Sequence, residues 1–73
     1  MLYPPSILDE WTTAQRHVAR CRELVKRQIE IVRTCRQQHW SEQDATILLR
    51  ELCAALRIGR HHARVVEREL GRR

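Results

Sequence analysis

The chain contains few residues that interrupt a helix. It has two glycines and two prolines among 73 residues. Both prolines precede Ser6, and neither Gly nor Pro occurs between Ser6 and Gln38. Because Pro and Gly are the residues that most disfavour a helix interior, this absence predicts an uninterrupted helix over that stretch.

The cysteines do not have the pattern of a disulfide-stabilised domain. The chain has three cysteines, Cys21, Cys35 and Cys53, and no two of them have CxxC spacing. An odd number without this spacing argues against a disulfide framework. The sequence shows neither a secretory signal nor an apolar run of the roughly 20 residues that a membrane span needs. We therefore expect a cytoplasmic protein with free thiols and no contact with a membrane.

Sequence patterns that accompany catalysis are also missing. The chain has no GxSxG element, no glycine-rich phosphate loop and no ExxH pattern of a di-iron bundle. Its carboxylates, such as Glu23, Glu30 and Glu51, occur singly on predicted outer faces. The sequence therefore predicts a protein that is not an enzyme and that holds no cofactor.

Apolar residues instead follow two heptad patterns, and each pattern predicts one long helix with a coiled-coil seam. The break between the two patterns is short, so the helices should be antiparallel neighbours. The first pattern comprises Trp11, Val18, Val25, Val32 and His39, interleaved with Ala14, Cys21, Gln28 and Cys35, and the second comprises Leu49, Leu56, Ala63 and Leu70, interleaved with Ala45, Leu52, Gly59 and Val66.

These patterns predict an all-α fold, a single helical-hairpin domain over residues 1–73. We place helix 1 at about 7–38, the link at 39–41 and helix 2 at about 42–70. Ser6 with Asp9, and Ser41 with Asp44, have the spacing of capping boxes. Trp40 should fill the bend, and folding about it should bring Cys21 to Gly59 and Gln28 to Leu52.

A lone hairpin of this size is marginally stable, because each apolar stripe is covered on one side only. We expect it to form a homodimer that is a four-helix bundle. Gln28 either sets register and oligomeric state or lies at the seam edge in water. Gly59 either admits a close helix approach or leaves room for a partner side chain. The candidate oligomer core is Val18, Cys21, Val25, Gln28, Val32, Leu49, Leu52 and Leu56.

Two Cys and His pairs, His17 with Cys21 and Cys35 with His39, have an i,i+4 spacing that could direct both side chains at one metal ion. Each pair supplies only two ligands, whereas a structural zinc site uses four. All four residues also fall on or beside the seam by heptad spacing, where Cys commonly serves as an apolar filler. We therefore predict no metal site.

The net charge is +5, and thirteen of the fourteen basic residues are arginines. Predicted helix 1 has a net charge of +3, whereas helix 2 is neutral. The favoured function is a small interaction module, an adaptor or regulator that binds a protein partner. The alternative is a nucleic-acid-binding bundle that uses the same basic face of helix 1. The candidate contact residues are Arg16, Arg20, Lys26, Arg27 and Arg33.

The segment from His17 to Leu70 resembles a group of small, uncharacterised helical-hairpin proteins that are common in rhizobia and related alphaproteobacteria. The match rests on an H-V-A element, an R-E-L-V element, a later pair of leucines and a terminal E-L. The resemblance implies a helical hairpin and no particular activity. The matching residues are His17-Val18-Ala19, Arg22-Glu23-Leu24-Val25, Arg27, Ala45, Leu48-Leu49, Leu52, Leu56, His61 or His62, Arg64 and Glu69-Leu70.

Overall fold

The computed structural model describes residues 6–72 and consists of two long helices that pack along each other. Helix α1 is Ile7–Gln37 and helix α2 is Gln43–Gly71, which confirms the all-α hairpin. The link is 38–42, one residue longer at each end than predicted. Within the described residues, neither helix is long and apolar enough to cross a membrane.

The capping box predicted at the start of α1 is present. The Asp9 backbone N–H donates to Ser6 Oγ at 3.2 Å, and the Ser6 backbone N–H donates to Asp9 Oδ2 at 3.4 Å. Both bonds satisfy backbone donors that have no partner inside the helix. The sequence around Ser6 therefore sets where α1 begins.

The end of α1 is a Schellman motif. The Trp40 N–H donates to the Cys35 carbonyl at 2.8 Å, and the His39 N–H donates to the Arg36 carbonyl at 3.3 Å. His39 adopts a left-handed conformation with a φ of 58°, which is where Gly is usually found. His39 therefore terminates the helix. The heptad pattern had placed His39 on the seam, and the structure does not.

Two predictions for the link are wrong. The N-cap residue of α2 is Glu42 rather than Ser41, and its side chain makes no capping hydrogen bond. The Glu42 carboxylate instead accepts a hydrogen bond from Arg36 Nε, which directs it towards α1. Trp40 does not fill the bend, because the position after the left-handed residue places it outside; it is 61% exposed.

The helices approach closely at Gly59. A Cβ atom there would lie 3.0 Å from His17 Cδ2 and 3.7 Å from Val18 Cγ2. The nearest side chains are therefore those of His17 and Val18, one helical turn from the predicted Cys21. The register differs because the reversal at His39 directs the link back along the last turn of α1 before α2 begins.

The core consists mainly of small residues. Ala14, Val18 and Ala63 form a buried cluster against which Leu56 packs. Among residues 6–72, no large side chain is completely buried. Two helices alone therefore give these residues only a thin core.

Candidate interaction surfaces

One side of the hairpin carries apolar side chains that the two helices leave partly uncovered. His17 and His62 line one shallow pocket near the start of α1. Residues at seven-residue intervals lie on the same side of a helix, so the side marked by these histidines continues along both helices. Ile31 is 42% exposed and Leu48 is 45% exposed. This apolar flank comprises Leu24, Ile31 and Cys35 on α1 with Leu48 and Ala55 on α2.

Trp40 extends the apolar flank at the link end. It lines an open groove along α1 whose apolar residues are Leu24, Ile31 and Cys35. An exposed apolar floor with a charged rim is typical of a protein-binding surface. The polar and charged residues of the groove are Arg20, Glu23, Lys26, Arg27, Glu30 and Thr34.

The charges beside the apolar flank differ between the two helices. On α1, Arg20 and Arg27 border the groove. On α2, Asp44 lies four residues before Leu48, and Glu51 follows Leu48 by three, spacings that place them on the same side. One flank therefore presents a basic edge and an acidic edge.

The five predicted contact residues do not form one face. At 100° per residue, Arg16, Arg20 and Arg27 share one side of α1, whereas Lys26 and Arg33 lie about 110° away. Lys26 Nζ is 3.7 Å from Glu23 Oε1, and Arg33 Nη1 is 2.7 Å from Glu30 Oε1. Arg16, Arg20 and Arg27 have no carboxylate partner in the described part of the chain.

The predicted oligomer core separates into two groups. Val18, Cys21, Gln28 and Val32 are buried within the single hairpin. The other four are only half-buried, and three of these are leucines of α2. The half-buried group is Val25, Leu49, Leu52 and Leu56.

Gln28 lies inside the helix interface and not in water at its edge. Its side chain is 6% exposed, and Nε2 donates to the Ala45 carbonyl at 2.9 Å. Ala45 is near the start of α2, two helical turns before the predicted neighbour Leu52. This bond fixes the position of α2 along α1, because another register would leave the buried amide without this acceptor.

The two Cys and His pairs differ in the structure, since the members of only one pair lie on the same helix. Cys21 Sγ lies 3.6 Å from His17 Nε2. In the other pair, Cys35 is in α1, whereas His39 lies beyond the end of that helix in a left-handed conformation. All three cysteines are free thiols. Within residues 6–72, no three His, Cys, Asp or Glu side chains converge as a metal site would require.

The net charge of α2 concealed a row of arginines. Arg50, Arg57 and Arg64 recur every seven residues, and Arg60 lies between them on the same side. Arg60 and Arg64 line a cleft with Arg22 of α1. Sequence reasoning missed Arg50 and Arg57 of this row because it summed charges over the helix, although the seven-residue interval was visible.

Comparison with known proteins gives no relative for this chain. No protein-family model matches it, and no curated protein or solved structure is significantly similar to it.

Proposed function

We propose that this protein is a non-enzymatic helical interaction module, an adaptor or regulator that acts by protein–protein contact. Its first partner is a second copy of itself, seated on the apolar flank to form a four-helix bundle. The observation that carries this proposal is the partly uncovered flank that runs along both helices. The assembly needs no cofactor and belongs in the cytoplasm, where the thiols stay reduced.

Side chains that the hairpin covers incompletely can gain stability from association. Full burial of a Leu or Ile side chain stabilises by about 1.5–3 kcal/mol relative to full exposure. Ile31 and Leu48 are each more than two-fifths exposed, and Leu24 and Cys35 of the same flank are half-buried. A second hairpin would cover part of this surface in both copies at once.

The charges favour a second copy over an unrelated helix. A two-fold dimer joins the same patch on both subunits. If the hairpins pack with opposite edges together, Arg27 of one copy approaches Glu51 of the other, and the pair occurs twice. The basic and acidic edges of one flank are therefore complementary to each other.

The test compares two exposed aliphatic residues of α1 in sedimentation equilibrium at about 10 μM. Ile31 lies on the apolar flank and is 42% exposed, whereas Leu8 is 56% exposed and points about 140° away from Ile31 around the helix. Ile31→Glu would place a charge inside the dimer contact, so it should convert the dimer to a monomer. Leu8→Glu should leave the dimer intact.

Two outcomes contradict this proposal. One is a wild-type protein that is a fully folded monomer at this concentration. The other is an equal loss of dimer in both variants. Circular dichroism on each sample separates loss of assembly from loss of helix.

A further inference from the structure

We infer that the side of the hairpin opposite the apolar flank binds the sugar–phosphate backbone of a nucleic-acid duplex. Both helices contribute a row of basic side chains to this side. The inference does not depend on self-association, since it concerns different residues. This arginine face comprises Arg22, Arg33 and Arg36 on α1 with Arg50, Arg57, Arg60 and Arg64 on α2.

The separation of charge on α2 is the first observation. The helix contains five bases and four acids between its ends, Gln43–Gly71, but they do not alternate around it. Asp44, Glu51 and Glu69 share the side of the apolar flank. Glu67 is the one acidic residue that lines the cleft with Arg60 and Arg64. The near-neutral helix therefore has a basic side.

The availability of these guanidinium groups is the second observation. Arg50, Arg57, Arg60 and Arg64 are exposed and have no ion-pair partner among residues 6–72. On α1, Arg33 and Arg36 pair with glutamates, but each of these bases is at least 65% exposed. Exposed pairs of this kind contribute about 0–1 kcal/mol, so a phosphate can replace the carboxylate.

The geometry of the rows favours a regular polyanion. Arg50 to Arg64 spans 14 residues, about 21 Å of helix. Gly59 lies against Val18, so the α2 row lies beside the first half of α1, whereas the α1 row continues towards the link. The two rows therefore follow one another along this side and overlap near Arg22, with their helices about 8–10 Å apart. All seven bases of the arginine face are arginines, and the planar guanidinium group matches phosphate with two parallel hydrogen bonds.

The lack of aromatic residues on this face favours a duplex over a single strand. Single-strand binding uses aromatic side chains on which bases stack. In the described part of the chain, the aromatic residues are Trp11, half-buried at the start of α1, and Trp40, in the groove on the other side. The arginine face can therefore contact phosphates, and it offers no aromatic platform on which unpaired bases could stack.

The experiment measures fluorescence anisotropy of a labelled duplex of about 20 base pairs, once as DNA and once as RNA. If about four phosphates are contacted, affinity should fall roughly 100-fold between about 50 and 200 mM salt. Arg60→Glu with Arg64→Glu should lower affinity at least about 10-fold and reduce the salt slope by about 2. The two duplexes show whether one helical form is preferred.

A matched control has the same charge change on the opposite side. Arg16→Glu with Arg20→Glu also reverses two exposed arginines four residues apart, and it should lower affinity far less. Both pairs are also compared in the Ile31→Glu background, so that assembly does not explain a difference. Arg60→Gln with Arg64→Gln should give an intermediate loss, which excludes an effect of the introduced acids alone.

Three results would overturn the inference. The first is no complex with either duplex at about 50 mM salt. The second is an equal loss of affinity in both charge-reversed variants, which would indicate that affinity depends on net charge and not on this face. The third is tighter binding to poly-glutamate, with the same dependence on Arg60 and Arg64, because that would identify an acidic protein as the occupant.

Discussion

The two halves of the hairpin are packed differently. Near the start of α1, the small residues Ala14, Val18, Gly59, Ala63 and Val66 are all buried between the helices. Towards the link, no residue of α2 before Gly59 is buried. Four of the seven large apolar residues that are exposed in the described chain lie in this half or in the link: Ile31, Trp40, Ile47 and Leu48.

Side-chain size determines where two helices alone can bury the residues between them. Small side chains let the backbones approach closely, so two helices are enough to bury them. Leucines at the corresponding positions of the link half leave surface open between the helices. Two helices therefore bury the small residues of the first half, whereas the link half leaves the apolar surface that the proposed second copy would cover.

The largest expected effect comes from breaking the well-packed half at Gly59. Gly59→Leu would force a side chain against His17 and Val18, whose atoms lie within 4 Å of the point that a Cβ atom would occupy. Overpacking should lower the free energy of unfolding by about 3 kcal/mol in urea titrations. Gly71→Leu is the control, since nothing lies within 4 Å of its Cβ position; an equal loss there would contradict the close approach.

A smaller effect should distinguish the starts of the two helices. Ser6→Ala removes the hydrogen bond to the Asp9 N–H and should cost about 1 kcal/mol of unfolding free energy. Ser41→Ala should cost less than about 0.5 kcal/mol, because Ser41 is not the N-cap residue. Thermal unfolding of both variants measures the difference. A larger loss at Ser41 would mean that α2 begins earlier than Gln43.

The smallest effect should be a gain in stability at the link. His39→Gly removes the strain of a side chain at a φ of 58°, which costs about 1–2 kcal/mol for non-glycine residues. Glycine also loses more backbone entropy on folding, so the net gain should be about 0.5 kcal/mol. Gln38→Gly, at a residue with a negative φ, should be destabilising, and a gain there would argue against the Schellman motif.

The sequence was sufficient to predict the two helices and the Ser6 cap, because heptad spacing and local hydrogen bonding are encoded within a few residues. The register was not predictable from the same pattern. It depends on the left-handed conformation of His39, on the bond from Gln28 to Ala45 and on the fit of His17 over Gly59. Each is a geometric relation that a one-dimensional pattern leaves open.

The candidate surfaces were predicted only in part. A basic contact was expected on α1, and two of its predicted residues, Arg20 and Arg27, border the apolar groove. Counting charge by helix combined Arg27 with Arg33, which lie on different sides, and overlooked Arg50 and Arg57. A surface on a hairpin depends on the angle of each residue around its helix and on which side the other helix covers.

The central claim is that the hairpin is completed by a second copy, and the concentration dependence of the melting temperature tests it most directly. Thermal unfolding followed by circular dichroism at about 2 and 200 μM spans a 100-fold range, worth about 2.7 kcal/mol of linked stability. For a dimer of this size, the melting temperature should rise by about 8 °C. A melting temperature that is the same at both concentrations would contradict the claim.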